Sequence, residues 1–281
     1  MACSPTGRST SGRMASRTNP IGVFDSGIGG LTVVRELFNV LPKESILYFG
    51  DTARVPYGNK SRETIVKFST ENVLFLLRHD VKLIIIACNT ASSHALGFLE
   101  RSFHVPMLGV IEPGVQAAVA ATRNKRIGVI GTSATISSGA YERAIRRLDP
   151  AIRVASASCP LFVPIVEAGW TTRPVARTIA EEYLAPLRRA RIDTLILGCT
   201  HYPLLKPILR RVLGPKVQLV TSAHQVALHA QVILDHHQLS NLGPTGPAHR
   251  FYVSDEPKHF IAVGGRFLGR AAGPVTRVAT S

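Results

Sequence analysis

The sequence predicts an α/β protein whose sheets are mainly parallel and covered by helices on both faces. Two observations support this fold class: short apolar runs alternate with helix-compatible stretches, and similar segments recur in the two halves of the chain. Strands buried on both faces are almost continuously apolar, as these runs are. The predicted strands are IGVFD (21–25), ILYFG (46–50), LIIIA (83–87), MLGVI (107–111), RIGVI (126–130), TLILG (194–198), VQLV (217–220) and FYVS (251–254).

The internal repeat indicates a duplicated domain. GVFDSGIGGL (22–31) is similar to GVIGTSATI (128–136) at an offset of 106 residues, and ACNT (87–90) is similar to GCTH (198–201) at an offset of 111. Because the two offsets differ only by a small insertion, two similarly built halves are the simplest explanation. A boundary is expected near IEPG (111–114), where a strand-like run meets a Pro-Gly pair.

The composition narrows the function classes. The 281 residues have a net charge of +15, which raises nucleic acid as a partner because clustered Lys and Arg release counterions from phosphates. We interpret the charge as spread along the chain, and no nucleic-acid-binding motif is present. Nucleic acid is therefore not expected as a partner, and a small anionic substrate or solubility explains the charge. The apolar runs are far shorter than the roughly 20 residues that span a bilayer, so no membrane segment is expected.

The first twenty residues and the cysteines bear on location. Residues 1–20 contain no acid and no apolar periodicity, which predicts a disordered basic leader rather than a secretory signal. A transit peptide and a translation start at Met14 are alternatives. No disulfide framework and no paired C-x-x-C metal spacing are present, so free thiols in a reducing cytosol and no metal site are expected. The four cysteines are Cys3, Cys88, Cys159 and Cys199.

Two apolar runs end in a cysteine that polar residues follow: LIIIACNTASSH (83–94) and TLILGCTHYPLL (194–205). One cysteine at the end of a strand is more often a small buried hydrophobe than a catalyst. Two cysteines at equivalent places in a repeat favour catalysis. Cys88 and Cys199 would then act as a paired acid and base, in which one thiolate removes a proton from carbon and the other thiol returns one to the opposite face.

The strand ends predict where the site lies. Ligands of parallel sheets bind beyond the carboxyl ends of the strands, so both halves are expected to face one cleft between domains. Asp25 and His201 are candidates to relay protons or to orient the thiols, and a helix-capping aspartate and a surface histidine are the simpler alternatives. The polar groups at predicted strand ends are Asp25-Ser26, Cys88-Asn89-Thr90, Thr132 and Cys199-Thr200-His201.

Two glycine-containing turns each have two interpretations. DSGIGG (25–30) has the order strand, turn and helix but lacks both G-x-G-x-x-G and a P-loop lysine. A tight turn that lets the backbone approach a small anion is favoured there. PYG (56–58) is either a surface turn or a carboxylate site made of backbone N–H groups and Tyr57.

Seven separated segments occur in a diagnostic order and span roughly residues 21–268. Together they resemble the glutamate racemases of the aspartate/glutamate racemase family, which are cofactor-independent enzymes that supply D-glutamate for peptidoglycan. The segments are FDSGIGGLTV (24–33), YFGDTARVPYG (48–58), ACNTAS (87–92), GVIEP (109–113), GVIGTSATI (128–136), CPLFVPIVEAG (159–169) and LGCTHYPLL (197–205).

The resemblance implies roles for individual residues. Cys88 and Cys199 are the implied acid/base thiols on opposite sides of the glutamate α-carbon, whereas Cys159 is not an implied acid/base thiol. The implied substrate-binding residues are Asp25, Ser26, Tyr57, Gly58, Asn89, Thr90, Thr200 and His201. The implied supporting residues are Thr132, Thr135 and Glu167.

The resemblance also implies an organisation. Two flavodoxin-like domains with an interdomain active site are expected: residues 21–112 plus 223–281 form the first, and 113–222 the second. Neither a metal nor another cofactor is implied, the location is the bacterial cytoplasm, and the partners are L-glutamate and D-glutamate. Many relatives dimerise, so a homodimer is one expected assembly. Two departures are the leader, which lies outside the shared segments, and Thr221, where many relatives have Asp.

Three other functions remain open at this point. A related aspartate or hydantoin racemase is the nearest, although His201 after the second Cys-Thr favours glutamate because aspartate-specific relatives commonly have Glu there. A noncatalytic amino-acid-binding module is the second. Nucleic-acid binding, or inhibition of a nucleic-acid enzyme, is the third.

Overall fold

The computed structural model describes residues 16–244 and 246–279. Its strands are β1 (Ile21–Asp25), β2 (Ile46–Gly50), β3 (Leu83–Ile86), β4 (Met107–Gly109), β5 (Arg126–Gly131), β6 (Arg153–Ser158), β7 (Thr194–Gly198), β8 (Gln218–Val220), β9 (Arg250–Val253) and β10 (Val275–Arg277). Its α-helices are α1 (Leu31–Val40), α2 (Arg62–Leu77), α3 (Asn89–Ser102), α4 (Ile111–Ala121), α5 (Ser133–Ser137), α6 (Ala140–Leu148), α7 (Phe162–Glu167), α8 (Pro174–Arg189), α9 (Lys206–Leu213), α10 (Ala223–His236) and α11 (Pro257–Leu268).

The strands form two parallel sheets that repeat one topology. The first sheet has the order β10-β9-β2-β1-β3-β4 and the second the order β6-β5-β7-β8. Strands β2-β1-β3-β4 therefore match β6-β5-β7-β8 one for one, in the 2-1-3-4 order with which flavodoxin-like sheets begin. The predicted α/β fold class, with two similar halves, is confirmed.

Both faces of the first sheet are buried, as its apolar strands predict. Along β1, Val23 packs into one cluster with Leu37 of α1, while Phe24 packs on the other face with Ile65 of α2 and Leu99 of α3. This alternation follows from the two-residue period of a strand. The cluster that contains Val23 continues into the second half, so the two halves share one apolar core.

Two strands of the structure were not predicted from the sequence, and a third is shorter than predicted. Strand β6, RVASAS, lies at the edge of the second sheet and is only half-buried, so it lacks the continuous apolar run used as the signal. Strand β10 lies at the other sheet's edge. The predicted strand 107–111 ends at Gly109, and Ile111 already begins α4.

The C-terminal segment joins the first half. Strands β9 and β10 extend the first sheet beyond β2, and α10 packs on both α1 and α4. The boundary predicted between residues 112 and 113 falls within the first turn of α4, and the division of the chain into domains stays a prediction. Most of the predicted leader, with Cys3, lies outside the described residues. No helix in the described part of the chain is long and apolar enough to cross a membrane.

Candidate active site

A pocket of about 320 Å³ lies between the carboxyl ends of strands from both sheets, within the size range of small-molecule sites. Its lining contains every residue predicted for the site except Asp25 and Thr135, which lie beside it. The lining residues are Ser26, Gly27, Val55, Pro56, Tyr57, Gly58, Asn59, Cys88, Asn89, Thr90, Thr132, Ser133, Pro160, Val163, Pro164, Glu167, Cys199, Thr200 and His201.

Cys88 forms the corner between β3 and α3. Its Sγ caps the helix by accepting a hydrogen bond from the Ala91 N–H at 3.5 Å, and it lies 3.6 Å from Ser26 Oγ. Burial raises the pKa of the Cys88 thiol to about 12, and the charge of Asp25 adds to the rise, whereas the Ala91 and Ser26 hydrogen bonds oppose it. The resting thiol is therefore protonated, and thiolate formation there depends on these few donors.

Cys199 forms the equivalent corner after β7, with different neighbours. Its Sγ lies 3.9 Å from Nδ1 of His201, and Nε2 of the same ring lies 3.0 Å from Oε1 of Glu167. Burial disfavours the charged imidazole, but the hydrogen bonds with Cys199 and Glu167 prevail and raise the pKa of His201. Burial likewise opposes ionisation of Glu167, yet the hydrogen bond from His201 lowers its pKa. Cys199 thus faces an imidazole that a carboxylate orients.

Asp25 lies between the two corners at the end of β1. It is 1% exposed, its Oδ2 accepts a hydrogen bond from the Gly27 N–H at 3.1 Å, and its Oδ1 has no protein partner among the described residues. Burial raises the pKa of Asp25, and the charge of His201 and nearby backbone N–H groups oppose the rise. Because its charge also raises the pKa of Cys88, one buried carboxyl acts electrostatically on both corners.

Hydroxyl groups from the two halves meet beside the thiols. Thr90 Oγ1 lies 2.9 Å from Thr132 Oγ1 and 3.1 Å from Thr135 Oγ1, and the last two lie 2.9 Å apart. Asn89 Nδ2 donates to the Tyr141 hydroxyl at 2.7 Å. Thr90 and Asn89 start α3, whereas the other three side chains follow β5. The three threonines, each predicted separately for the site, therefore form one cluster that joins the halves.

Tyr57 and Gly58 form one wall of the pocket. The Tyr57 hydroxyl donates to Asp51 and accepts from Asn72 Nδ2 at 3.1 Å, so the wall presents the ring and the backbone rather than a free hydroxyl. A Cβ added at Gly58 would lie 2.6 Å from Thr132 Cβ. Glycine is required here because the wall from the first half touches the second half directly.

Sequence reasoning missed Gly29 and Tyr141 as parts of the site. A Cβ at Gly29 would collide with Thr200 Oγ1 and would lie 2.5 Å from His201 Nδ1. The DSGIGG turn therefore closely approaches the Thr200-His201 loop of the other half. The glycines of DSGIGG indicated a close approach of the backbone but not the residues that it approaches. Tyr141 lies in α6, away from any strand end, and no sequence signal marked it.

Two further predictions concern groups near the site. Among residues 16–244 and 246–279, no group of three or more His, Cys, Asp or Glu side chains is arranged to hold a metal ion. Thr221 follows β8 and is not among the residues that line the pocket.

The fold and the pocket define an α/β enzyme in which each half contributes one thiol to a shared site. Residues 21–230 match the family model described as Asp/Glu/Hydantoin racemase. The chain is 54% identical over 260 residues to a glutamate racemase of Syntrophus aciditrophicus, covering 92% of this chain and 96% of that one. It is 51% identical, with the same coverage, to a glutamate racemase of Geobacter metallireducens.

A solved structure gives the same result. The glutamate racemase of Francisella tularensis in complex with D-glutamate superposes with a TM-score of 0.89 at 41% identity, covering 94% of this chain and 99% of that chain. The chain belongs to the Asp/Glu/hydantoin racemase family. The resemblance stated from the seven segments is confirmed, and with it the enzyme class, an amino-acid racemase.

Proposed function

We propose that the protein interconverts L-glutamate and D-glutamate by proton transfer between two cysteines, without a cofactor. The observation that supports this most is the pair of thiols: Cys88 and Cys199 follow equivalent strands of a duplicated fold and line one pocket from opposite halves. The relatives named glutamate racemase, and the D-glutamate in one of them, support the choice of substrate.

The reaction balances with these two groups alone. One cysteine, as a thiolate, takes the α-proton and becomes a thiol, leaving a carbanion on the substrate. The other cysteine, as a thiol, gives its proton to the opposite face of the α-carbon and becomes a thiolate. The product has inverted configuration, and the two cysteines have exchanged protonation states. Return to the starting state needs one proton exchange with solvent or with a neighbouring group.

At the first corner, the chain supplies donors that stabilise a thiolate. Ala91 N–H and the Ser26 hydroxyl lie against Cys88 Sγ, at the positive end of α3. At the second corner, His201 supplies the proton-handling group for Cys199, and Glu167 holds the ring so that Nδ1 faces the sulfur. Glu167 is a positioning residue in this scheme.

Carboxylate recognition has several donors available. The side chains of Asn89, Thr90 and Thr132, and the backbone of the Tyr57-Gly58 turn, line the pocket together with Thr200. Hydrogen bonds from such neutral donors, and the N-terminus of α3, stabilise anions without adding a charge that would bind the substrate too rigidly. Asp25 and Ser26 are the acceptors nearest the thiols and suit the α-ammonium.

The test is racemisation of L-glutamate and of D-glutamate by the purified protein, followed by polarimetry or chiral chromatography with no cofactor added. Conversion from both isomers is the expected result. A panel of aspartate and a hydantoin, run beside glutamate, checks the substrate, and a strong preference for either competitor would overturn the assignment. Calorimetric binding of glutamate with no conversion would instead support a binding module.

The wider role follows from the activity. D-glutamate would enter peptidoglycan synthesis, and the enzyme would work in the cytoplasm, where free cysteines persist. The division into residues 21–112 plus 223–281 and residues 113–222, and assembly as a homodimer, remain predictions. Limited proteolysis tests the first and light scattering the second.

A further inference from the structure

The positive charge is concentrated in one half of the protein. Residues 113–222 contain sixteen Lys and Arg against six Asp and Glu, a net charge of +10, whereas residues 21–112 contain nine of each and are neutral. The interpretation that the charge is spread along the chain is therefore wrong. A site for one small amino acid with two carboxylates does not explain so large a difference between the duplicated halves.

Much of this charge lies along the amino edge of the second sheet, opposite the carboxyl ends that form the pocket. Arg126 of β5 is paired in register with Arg153 of β6. The Asp193 N–H donates to Arg126 O at 3.1 Å, and the Gln218 N–H of β8 donates to Asp193 O at 2.8 Å. The starts of all four strands therefore form one continuous row about 15 Å long at the usual strand spacing.

An open groove of about 870 Å³ runs along this row, and three cations line it: Arg123, Arg210 and Lys216. Within the described part of the chain, none of the three takes part in an ion pair. A second cavity of about 240 Å³ is lined by Arg126 and Arg153. We call these five cations the basic edge.

The one carboxylate that lines the larger groove is already occupied. Asp193 Oδ1 accepts from the Thr122 hydroxyl at 2.6 Å and from the Thr194 hydroxyl at 3.0 Å, and Oδ2 accepts from the N–H groups of Arg123 and Asn124 at 2.7 Å. Asp193 therefore shapes the loop at residues 122–124. Its hydrogen-bonding capacity is used internally, so the cations remain available to an outside anion.

The equivalent edge of the first sheet is built in the opposite way. Lys82, next to β3, is fully buried and pairs with Glu44 at 2.6 Å, and its Nζ also donates to the carbonyl groups of Arg17 and Leu239. An internal ion pair therefore occupies the start of β3, and Arg250 at the start of β9 is an exposed cation of that edge. An exposed basic edge is thus not a requirement of the fold but a property of the second half.

We propose that the basic edge binds the phosphodiester backbone of double-stranded nucleic acid without reading its sequence. Guanidinium and ammonium groups are the usual partners of phosphate, and no aromatic side chain lines the groove to stack on an unpaired base. A row of about 15 Å spans four to five phosphates of one strand at 3.4 Å of axial rise. The concave groove suits a rod-shaped polyanion better than a flat lipid surface.

The test is fluorescence anisotropy of a labelled 20-base-pair DNA duplex titrated with the full-length protein between 50 and 200 mM NaCl. The key variant reverses three charges together: Arg123→Glu, Arg210→Glu and Lys216→Glu. A matched control makes Arg143→Glu, Arg173→Glu and Arg177→Glu, an equal charge change on exposed residues of helices near the other end of the same half. Racemisation of glutamate reports folding, because none of the six residues lines the pocket.

Wild type and control are expected to bind the duplex. The slope of log K against log salt concentration should be about −0.9 for each phosphate contact. The basic-edge variant is expected to bind at least tenfold more weakly at 100 mM salt. The magnitude of its salt slope should decrease by the equivalent of about three phosphate contacts, and it should still racemise glutamate. No binding by wild type at 50 mM salt, or equal binding by both variants, would overturn the proposal. If wild type and control bound phosphatidylserine vesicles but not the duplex, and the basic-edge variant did not bind the vesicles, the surface would be assigned to a membrane instead.

Discussion

The two cysteine corners occupy the same place in a repeated topology, yet they are equipped differently. Cys88 follows β3 and caps a fourteen-residue helix with its sulfur, beside a hydroxyl and a buried carboxyl. Cys199 follows β7, precedes a short helical turn, and faces an imidazole bonded to Glu167. The repeated topology accounts for where the two thiols lie, whereas the side chains around each thiol differ between the halves.

Under the proposed mechanism, this difference means that the two proton transfers depend on different neighbouring groups. At the first corner, thiolate formation is opposed by burial and by Asp25 and is aided by a helix terminus and a hydroxyl. At the second, a histidine can store or deliver the proton. Substitutions at one corner should therefore affect the reaction unequally in its two directions.

Removal of either thiol should have the largest effect. Cys88→Ser and Cys199→Ser should each lower two-way racemisation by roughly 10²- to 10⁴-fold, because a serine hydroxyl is a far weaker acid than a thiol and is almost never ionised to act as a base at neutral pH. Initial rates from both isomers check this. Cys159→Ala is the matched control, since Cys159 is buried near the second corner but does not line the pocket, and it should keep most of the activity. Full racemisation by a Cys88→Ser enzyme would refute the pairing.

Separation of the two corners should have the next largest effect. In Gly29→Ala the new Cβ would meet Thr200 and His201 of the opposite half, and a displacement of about 1 Å costs on the order of 10²-fold in rate. Steady-state kcat/KM, measured with circular dichroism to verify folding, tests this. Gly97→Ala is the control, because its Cβ would meet only Arg101 at 3.6 Å. If both variants were equally active, the close approach would not matter for catalysis.

Loss of the Glu167 carboxylate, which is bonded to His201, should make the rates from the two isomers more unequal. Glu167→Gln should lower the pKa of His201 and reduce kcat by about tenfold, which is less than the roughly 10²- to 10⁴-fold contributed by a group that itself transfers the proton. It should affect one isomer more than the other. Glu167→Asp should restore part of the loss. Equal loss from both isomers would argue that Glu167 serves only to hold the pocket together.

The stability of Glu167→Gln is expected to depend on pH differently from that of the wild type. The pKa of His201 is raised in the folded state, so this residue stabilises the fold. Its contribution to the free energy of unfolding is complete below the unfolded-state pKa of about 6.5 and is lost as pH rises through the folded-state pKa. The pKa of Glu167 is lowered, so its contribution is lost as pH falls below its ordinary value of 4.5. The melting temperatures of wild type and Glu167→Gln should therefore differ most near pH 5 to 6 and converge at alkaline pH.

Neutralisation of Asp25 should give the smallest change, an increase in stability. Because burial raises its pKa, the folded state favours the protonated form, and stability is lost as pH rises through the folded-state pKa. Asp25→Asn should therefore raise the free energy of unfolding at pH 7 by about 1 kcal/mol, on the order expected for a buried polar group, while activity falls. Denaturant unfolding at pH 7 and pH 3 tests this, and the gain should be absent at the lower pH.

Much of the fold could be predicted because buried parallel strands leave a plain signal. The bounds of β1, β2 and β7 agree with the apolar runs. Strand β6 could not be predicted because an edge strand of Ala and Ser is only half-buried. The rule that parallel sheets bind ligands beyond their carboxyl ends located only the site residues at strand ends. Thr135 and Glu167 came from the family resemblance alone.

What the sequence could not supply is how the halves close on each other. The contact of Gly29 with the His201 loop and the bond from Asn89 to Tyr141 join residues more than fifty positions apart, and each depends on the relative placement of two sheets. The basic edge was hidden for a related reason. Its cations are scattered in sequence and become neighbours only when the strand starts align.

The central claim, two distinct thiols on opposite faces of one α-carbon, is tested most directly by isotope position in the first turnovers. L-glutamate, and separately D-glutamate, is incubated in deuterium oxide, and the α-carbon of residual substrate and of new product is analysed by mass spectrometry. Two thiols predict product that contains deuterium while the residual substrate still contains hydrogen, from both directions. Product that retains the hydrogen of the substrate would show a single base acting on both faces and would contradict the account.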